Sequence, residues 1–203
     1  MGISQYIKEI GRGPRGSKPL TREQAADLFG QLLDGNVTDL EIGAFCLAMR
    51  NNGARKLPVL TPLLALLLVR EGLPVLLHGM RTEARRTLAS DVLLALGVPA
   101  LTAPEKIATG SVAHIETGYL HAALARLLKV REVVGLRNAG HSIVKLMNPC
   151  AGPAVVVTSY THPEYYDMLQ ATFGALHMTA LLSRGLEGEV ATDPRRTPRY
   201  AAF

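Results

Sequence analysis

The sequence contains no tryptophan and few other aromatic residues, with four Phe and six Tyr among 203 residues. Proteins that bind single-stranded nucleic acid by stacking its bases need aromatic platforms, so this composition disfavours that class. Only two cysteines occur, Cys46 and Cys150, and they do not form a CxxC pair. A structural zinc site is therefore not expected, and the sparse cysteines favour a reducing compartment.

Long hydrophobic runs are also missing. The N-terminal residues lack the apolar core of a secretory signal peptide. The longest apolar run, residues 57–69, contains two prolines and is too short to span a bilayer. We therefore expect a cytoplasmic protein with no membrane partner.

Negative charge is the scarcer sign in this chain. The 22 Lys and Arg residues exceed the 17 Asp and Glu residues, which leaves a formal net charge of +5. With 48% hydrophobic and 19% charged residues, the composition is that of a globular protein. The positive charge favours polyanionic partners, although a soluble protein that is merely basic remains an alternative.

The first fifty residues carry the pattern of a small helical domain. Thr21 with Gln24, and Thr38 with Glu41, both match the capping box that begins a helix. Apolar residues follow each box at helical spacing. We therefore predict a helical domain over residues 1–50.

Beyond residue 50 the sequence alternates between short apolar segments and helical patterns. Thr61 followed by Pro62 predicts a helix N-cap. Such alternation is typical of an α/β fold with a mostly parallel sheet, which we predict over residues 51–203. The expected order is strand 72–79, helix 82–97, strand 98–103, strand 132–136, helix 141–147, strand 153–159, helix 163–176 and strand 178–185.

Five motifs follow one another along the chain: NGARK with LTPLLA, HGM, GLRNAGHSIVKL, THPEYY and GLEGEV. In this order they resemble the anthranilate phosphoribosyltransferase-like family (glycosyltransferase family 3), and most closely its nucleic-acid-binding paralogues of the YbiB type. The resemblance covers nearly the whole chain. It implies the fold of nucleoside phosphorylases and anthranilate phosphoribosyltransferases, with a helical domain, a larger α/β domain and a homodimer formed through the helical domain.

Two parts of the family pattern have no counterpart here. The family places a further helix and the first strand between the positions that match Arg50 and Asn51, which are adjacent in this chain. The family also continues beyond the residues that match the C-terminal part of this chain. We therefore expect the chain to lack segments after Arg50 and near the C-terminus.

The resemblance also implies a phosphate-binding rim. The family's glycine-rich diphosphate cradle matches a segment with one glycine and two cations, and its second phosphate element keeps only a His-Gly pair. Phosphate contact by charge is predicted in place of a close-fitting backbone loop, whereas a plain basic turn and a structural His-Gly pair are the alternatives. The predicted phosphate- or nucleic-acid-binding residues are Asn52, Gly53, Arg55, Lys56, His78, Gly79, Arg81, Arg85 and Arg86.

An acceptor pocket and a metal site are implied in the same way. In the family's enzymes the position of Arg131 helps to hold the anthranilate carboxylate, a role that suits a guanidinium. Glu187 and Glu189 stand where the enzymes have an adjacent pair of magnesium-binding acids, and a solvated acidic turn is the alternative. The predicted pocket residues are Arg131, Arg137, Asn138, His141 and Lys145.

Taken together, the altered catalytic motifs and the cations favour a non-sequence-specific DNA- or RNA-binding protein on this scaffold. Binding of this kind needs no cofactor. An active phosphoribosyltransferase that uses phosphoribosyl diphosphate, magnesium and an aromatic amine is the alternative, and an inactive dimeric scaffold is a third. Two further basic loops would support the nucleic-acid function, one with Arg12, Arg15 and Lys18 and the other with Arg195, Arg196 and Arg199.

Overall fold

The computed structural model describes residues 2–13, 15–51, 59–83, 86–185, 189–192 and 197–203, with the backbone alone at positions 46 and 49–51. The helices are α1 Ser4–Ile10, α2 Arg22–Leu33, α3 Asp39–Asn51, α4 Leu60–Arg70, α5 Ala89–Ala95, α6 Thr117–Leu120, α7 Ala122–Val134, α8 Gly140–Ile143 and α9 Tyr165–Ala175, and a 3-10 turn, Val144–Leu146, follows α8. The strands are β1 Val75–Gly79, β2 Ala100–Leu101, β3 Val112–Glu116, β4 Val156–Tyr160, β5 Ala180–Arg184 and β6 Tyr200–Ala202.

The two predicted capping boxes are confirmed. The hydroxyl of Thr21 accepts a hydrogen bond from the backbone N–H of Gln24 at 3.2 Å, and the Gln24 side chain accepts one from the Thr21 N–H at 2.9 Å. Thr38 and Glu41 exchange the same pair of bonds, at 3.2 Å and 2.9 Å. Each box satisfies backbone donors that the first turn of a helix leaves without an intrahelical partner.

The apolar faces of the N-terminal helices pack into one core. Helix α4 joins this core through its first turns, although it lies beyond residue 50, and it also packs beside β1 and β3. No helix in the described part of the chain is long and apolar enough to cross a membrane. The buried members of the core are Ile3, Ile10, Leu28, Leu32, Phe45, Ala48, Leu60 and Leu63.

The described strands form two three-stranded sheets. In the first, β3 lies between β1 and β2 and is parallel to both. In the second, β5 lies between β4, which is parallel to it, and β6, which is antiparallel. The predicted fold class, a small helical part followed by an α/β part with mostly parallel strands, is confirmed.

Parallel pairing brings the carboxyl ends of neighbouring strands to one edge. The register pairs Gly79 with Glu116 at the ends of β1 and β3, and Tyr160 with Arg184 at the ends of β4 and β5. Open α/β sheets place their ligands beyond such ends. A ligand site is therefore expected beside the segments that follow β1 and β5.

The predicted strand at residues 132–136 is wrong. Helix α7 continues to Val134, and Gly135 ends it with a left-handed φ of 75°. Leu124 and Leu128, one turn apart on α7, are buried against the rest of the protein. Val133 and Val134 are 89% and 58% exposed, so they continue the helix that these leucines anchor instead of entering a buried sheet.

Two further local predictions fail in part. Helix α5 begins only at Ala89, and the described residues between Gly79 and Ala89 are irregular. Helix α4 begins at Leu60 with Val59 as its N-cap, so Thr61 is not the cap and its hydroxyl is available for a distant partner. Strand β3, the central strand of the first sheet, was not predicted.

Candidate anion-binding site

The segment that follows β1 is shaped by Arg81. Its guanidinium donates to both carboxylate oxygens of Asp91, at 2.6 Å each, and to the backbone carbonyl of Arg86 at 2.6 Å. Asp91 also accepts a hydrogen bond from the backbone N–H of Leu88 at 2.9 Å. Arg81 thus fixes the backbone that carries Arg86, and direct contact of Arg81 with phosphate stays a prediction.

Arg86 forms a buried ion pair with Glu189. Arg86 Nη2 lies 3.0 Å from Glu189 Oε1, and the two side chains are only 15% and 9% exposed. The other carboxylate oxygen, Oε2, accepts a hydrogen bond from the hydroxyl of Thr61 at 2.5 Å. Three segments that are distant in sequence therefore meet here: the loop after β1, the first turn of α4 and the segment after β5.

Two further arginines stand beside Arg86. Arg131, on α7, lies 3.4 Å from the Glu83 carboxylate and is largely buried. Although Arg137 is exposed, desolvation by the surrounding protein lowers its pKa, and the charges of Arg131 and Arg86 lower it further. Arg137 therefore lies close enough to Arg131 and to Arg86 to be repelled by both charges.

Lys145 approaches the same place from the 3-10 turn. Its Nζ donates a hydrogen bond to the backbone carbonyl of Ser159 at 3.2 Å, near the carboxyl end of β4. Burial lowers the pKa of Lys145, the charges of Arg137 and Arg86 lower it further, and Glu189 acts in the opposite direction. We call Arg86, Arg131, Arg137 and Lys145 the cationic cluster.

Asn138 and His141 support the backbone beside the cluster. The Asn138 side chain donates to the Leu127 carbonyl at 2.7 Å and accepts from the Gly140 N–H at 2.9 Å, which ties the start of α8 to α7. Burial lowers the pKa of His141, as do the charges of Arg137 and Arg131, and these effects favour a neutral ring. Because the Asn138 contacts join α7 to α8, their role among the described residues is structural.

His78 also has a structural contact. Its Nε2 lies 3.1 Å from the backbone carbonyl of Met147, which links the carboxyl end of β1 to the segment after the 3-10 turn. Burial lowers the pKa of His78, so the neutral ring is favoured and Nε2–H can donate this bond. A side chain at Gly79 would meet no described atom within 4 Å, so local crowding does not require this glycine.

The arrangement as a whole has an excess of positive charge. Among the described residues, Arg86 and Arg131 form ion pairs with Glu189 and Glu83, and Arg137 and Lys145 add two cations that have no ion pair there. Partly buried cations that repel one another gain more from an incoming anion than cations in free solution, because water screens them less. The described residues therefore build a site whose chemistry suits a phosphate or carboxylate group.

The described residues do not assemble a magnesium site. Both carboxylate oxygens of Glu189 already contact Arg86 or Thr61. No group of three His, Cys, Asp or Glu side chains in the described part of the chain could hold a metal ion. The other predicted ligand, Glu187, lies outside the described residues.

Several other predicted residues also lie outside the part of the chain that the structure describes, and they include most of the predicted phosphate rim. In the first of the two predicted basic loops, Arg12 forms an ion pair with Glu9, with 2.9 Å between Nη2 and Oε1. The predicted residues outside the described ranges are Asn52, Gly53, Arg55, Lys56, Arg85, Glu187, Arg195 and Arg196.

Sequence reasoning missed three residues that complete the site. Thr61 was expected only as a helix cap, Glu83 was not considered, and the carbonyl of Ser159 carries no side-chain signal at all. Thr61 and Glu189 are 128 residues apart, and Glu83 and Arg131 are 48 apart. No local sequence pattern indicates pairs of residues that lie so far apart in the chain.

A helical region joined to sheets of mostly parallel strands, with a charged site at the strand ends, agrees with the fold that the family resemblance implies. Residues 4–56 match the helical bundle domain of the glycosyl transferase family. The chain is 32% identical to the Escherichia coli K12 protein YbiB, described as uncharacterized, over 98% of this chain and 75% of that protein. This chain belongs to the anthranilate phosphoribosyltransferase-like family, glycosyltransferase family 3.

Relatives named as enzymes are also similar. The anthranilate phosphoribosyltransferase of Methylorubrum extorquens PA1 is 30% identical over 87% of this chain. The chain spans 65% of that enzyme's length. The solved structure of anthranilate phosphoribosyltransferase from Thermus thermophilus covers 98% of this chain and 70% of its own, with 18% identity and a TM-score of 0.48.

Proposed function

We propose that this protein binds nucleic acid without sequence specificity, through phosphate contacts made by the cationic cluster. The observation that carries the proposal is that Arg86 and Arg131 are paired with Glu189 and Glu83, while Lys145 reaches the carboxyl end of β4 and Arg137 lies near enough to be repelled by the two arginines. Cations arranged in this way contact phosphate oxygens and do not distinguish bases. The net charge of +5 adds long-range attraction to a polyanion.

The proposal is tested by the salt dependence of binding. We expect fluorescence anisotropy to detect binding of labelled DNA and RNA oligonucleotides of unrelated sequence at low salt. The affinity should fall steeply as salt rises, because phosphate binding releases counterions. Binding that is undetectable at low salt, or that does not respond to salt, would contradict the proposal.

Single substitutions in the cationic cluster test whether it is the part of the protein that binds nucleic acid. Arg137→Ala and Lys145→Met should each weaken binding to all sequences alike and reduce the salt slope by about one unit. Lys106→Ala is the matched control, because Lys106 is exposed in the loop that leads into the amino end of β3. An equal loss from the control would remove the cluster from the proposed interface.

A second candidate function is transfer of phosphoribose from phosphoribosyl diphosphate to anthranilate or a related amine. Several relatives named as anthranilate phosphoribosyltransferases favour it. Magnesium would be required, and the predicted acids Glu187 and Glu189 would hold it. Release of pyrophosphate in the presence of both substrates and magnesium, lost in Glu187→Gln and Glu189→Gln, would support this function.

We also expect a cytoplasmic homodimer that associates through the N-terminal helices. Leu40 is 82% exposed on α3, and Leu47, seven residues further along the same face, is 37% exposed. Gly43 lies between them, and a Cβ there would meet no described atom within 4 Å, which would allow another helix to approach closely. Leu40→Asp combined with Leu47→Asp should convert a dimer to a monomer in light scattering.

A further inference from the structure

One carboxylate already occupies the centre of the proposed anion site. Glu189 is buried, and its two oxygens accept from the guanidinium of Arg86 at 3.0 Å and the hydroxyl of Thr61 at 2.5 Å. Its negative charge also acts on Lys145. The side chain therefore uses the donors that an incoming phosphate would need.

A guanidinium and a hydroxyl bind carboxylate and phosphate oxygens with the same hydrogen-bond geometry. We propose that Glu189 is an internal competitor at this site: its carboxylate holds Arg86 and Thr61 until a phosphate group of the bound nucleic acid displaces it. This inference rests on the proposed nucleic-acid binding. It adds that binding begins with an exchange of one anion for another.

The backbone around Glu189 is anchored, so the exchange requires only the side chain to move. Gly185 at the end of β5 forms a bridge with Thr192, and the carbonyl of Val190 accepts a hydrogen bond from the Ser183 hydroxyl at 3.3 Å. A Cβ at Gly185 would collide with the Glu189 carbonyl, which shows how closely the two backbones approach. Rotation of the Glu189 side chain would break its contact with Arg86 while the described backbone contacts at Gly185, Val190 and Thr192 stay in place.

Competition from the Glu189 carboxylate affects whether the site prefers a single phosphate or a polyanion. A single phosphate gains only the donors that Glu189 gives up, and these are already satisfied. A strand with several phosphates also reaches Arg137 and Lys145, which have no ion-pair partner among the described residues. The site therefore favours polyanions over inorganic phosphate.

The test compares affinities for a labelled single-stranded DNA oligonucleotide of mixed sequence at fixed low salt. Glu189→Gln removes the competing charge, and we expect about tenfold tighter binding. Glu71→Gln is the control for the change in net charge. Glu71 is exposed at the far end of α4, about 16 Å along an 11-residue helix from the turn that carries Thr61.

Two further variants keep the test valid if Glu189→Gln is unstable. Glu189→Met also removes the carboxylate and leaves Arg86 and Thr61 in place, so it should tighten binding by a similar factor, whereas Glu189→Asp keeps a competing charge and should tighten it much less. The double variant Arg86→Met with Glu189→Met has the net charge of the natural protein and should bind no more tightly, because the gain requires Arg86. Circular dichroism melting establishes that each variant is folded.

The outcomes separate this inference from the proposed function. If Glu189→Gln and Glu189→Met bind no more tightly than Glu71→Gln, internal competition is wrong, while salt-dependent binding by the natural protein still supports the proposed function. If the double variant binds as tightly as Glu189→Gln, the effect does not act through Arg86 and the inference also fails. If the natural protein does not bind at low salt, both proposals fail together.

Discussion

The N-terminal helices and the cationic cluster satisfy their polar groups in opposite ways. In the helices, Thr21 bonds Gln24 and Thr38 bonds Glu41, each three residues away and exposed to solvent. In the cluster, the partners Arg86 and Glu189 are 103 residues apart and buried. Local pairs form as soon as a helix turns, whereas the long-range pair exists only in the assembled fold. Burial also makes the long-range pair far more sensitive to the loss of one partner.

The largest expected effect comes from breaking that buried pair. Arg86→Met should lower the free energy of unfolding by about 3 kcal/mol or more, because Glu189 is left as a buried charge without its cation. Adding Glu189→Met should recover most of the loss, since two apolar side chains carry no such penalty. Urea denaturation measures both. Equal destabilisation of the single and double variants would mean that packing, and not charge, is decisive here.

A second effect tests the close backbone contact beside the cluster. Gly185→Ala should lower the free energy of unfolding by about 1–3 kcal/mol, because the new methyl group collides with the Glu189 carbonyl and the Ser159 side chain. Gly79→Ala is the matched control at the end of β1, where the added carbon meets no described atom within 4 Å. Its effect should stay within about 0.5 kcal/mol. Similar losses in the two variants would contradict the described approach of the backbones.

A smaller effect is expected in the helical region. Thr21→Ala removes the hydroxyl that caps α2 and should lower the free energy of unfolding by about 1 kcal/mol. Thr21→Ser keeps the hydroxyl and should cost much less. A thermal melt or urea titration distinguishes the two variants. A Thr21→Ala loss as large as that of Arg86→Met would remove the contrast between the local and the long-range pair.

The smallest effect is a pH dependence that arises from buried histidine. Burial lowers the pKa of His114, although Glu116 and Asp91 act in the opposite direction. The unfolded chain takes up a proton near pH 6.5, whereas the folded protein does so only at lower pH. Stability should therefore be complete above about pH 6.5 and fall as the pH drops below it towards the folded pKa. His114→Gln should flatten this part of the curve in melts recorded at several pH values, and an unchanged slope would exclude His114 as the source.

Much of the fold could be predicted from local patterns. The two capping boxes, strands β1, β4 and β5, and helix α9 all lie where periodicity and turn residues indicated them. The strand prediction failed at α7, where the exposed Val133 and Val134 continue a helix that is anchored by leucines buried earlier in it. Strand β3 was missed because its sequence, VAHIE, contains a histidine and a glutamate within five residues.

The candidate site was predictable only in its parts. The cations Arg86, Arg131, Arg137 and Lys145 were all named from the sequence, on the strength of a family resemblance or of clustered charge. Their convergence, however, depends on contacts between segments that lie far apart along the chain. The hydrogen bond between Thr61 and Glu189 could not be deduced, because no local pattern in the sequence brings these two residues together.

The sequence by itself determined the helical N-terminal region, the alternating α/β part, the excess of positive charge and the family. These properties depend on composition and on spacings of a few residues, which act through local hydrogen bonds and the burial of one face. Only the tertiary structure decided which cations share a carboxylate and which carboxylate is buried. Glu189 becomes an internal ligand of Arg86 because the ends of β1 and β5 and the start of α4 meet at one place, where low solvent exposure strengthens the attraction between charges.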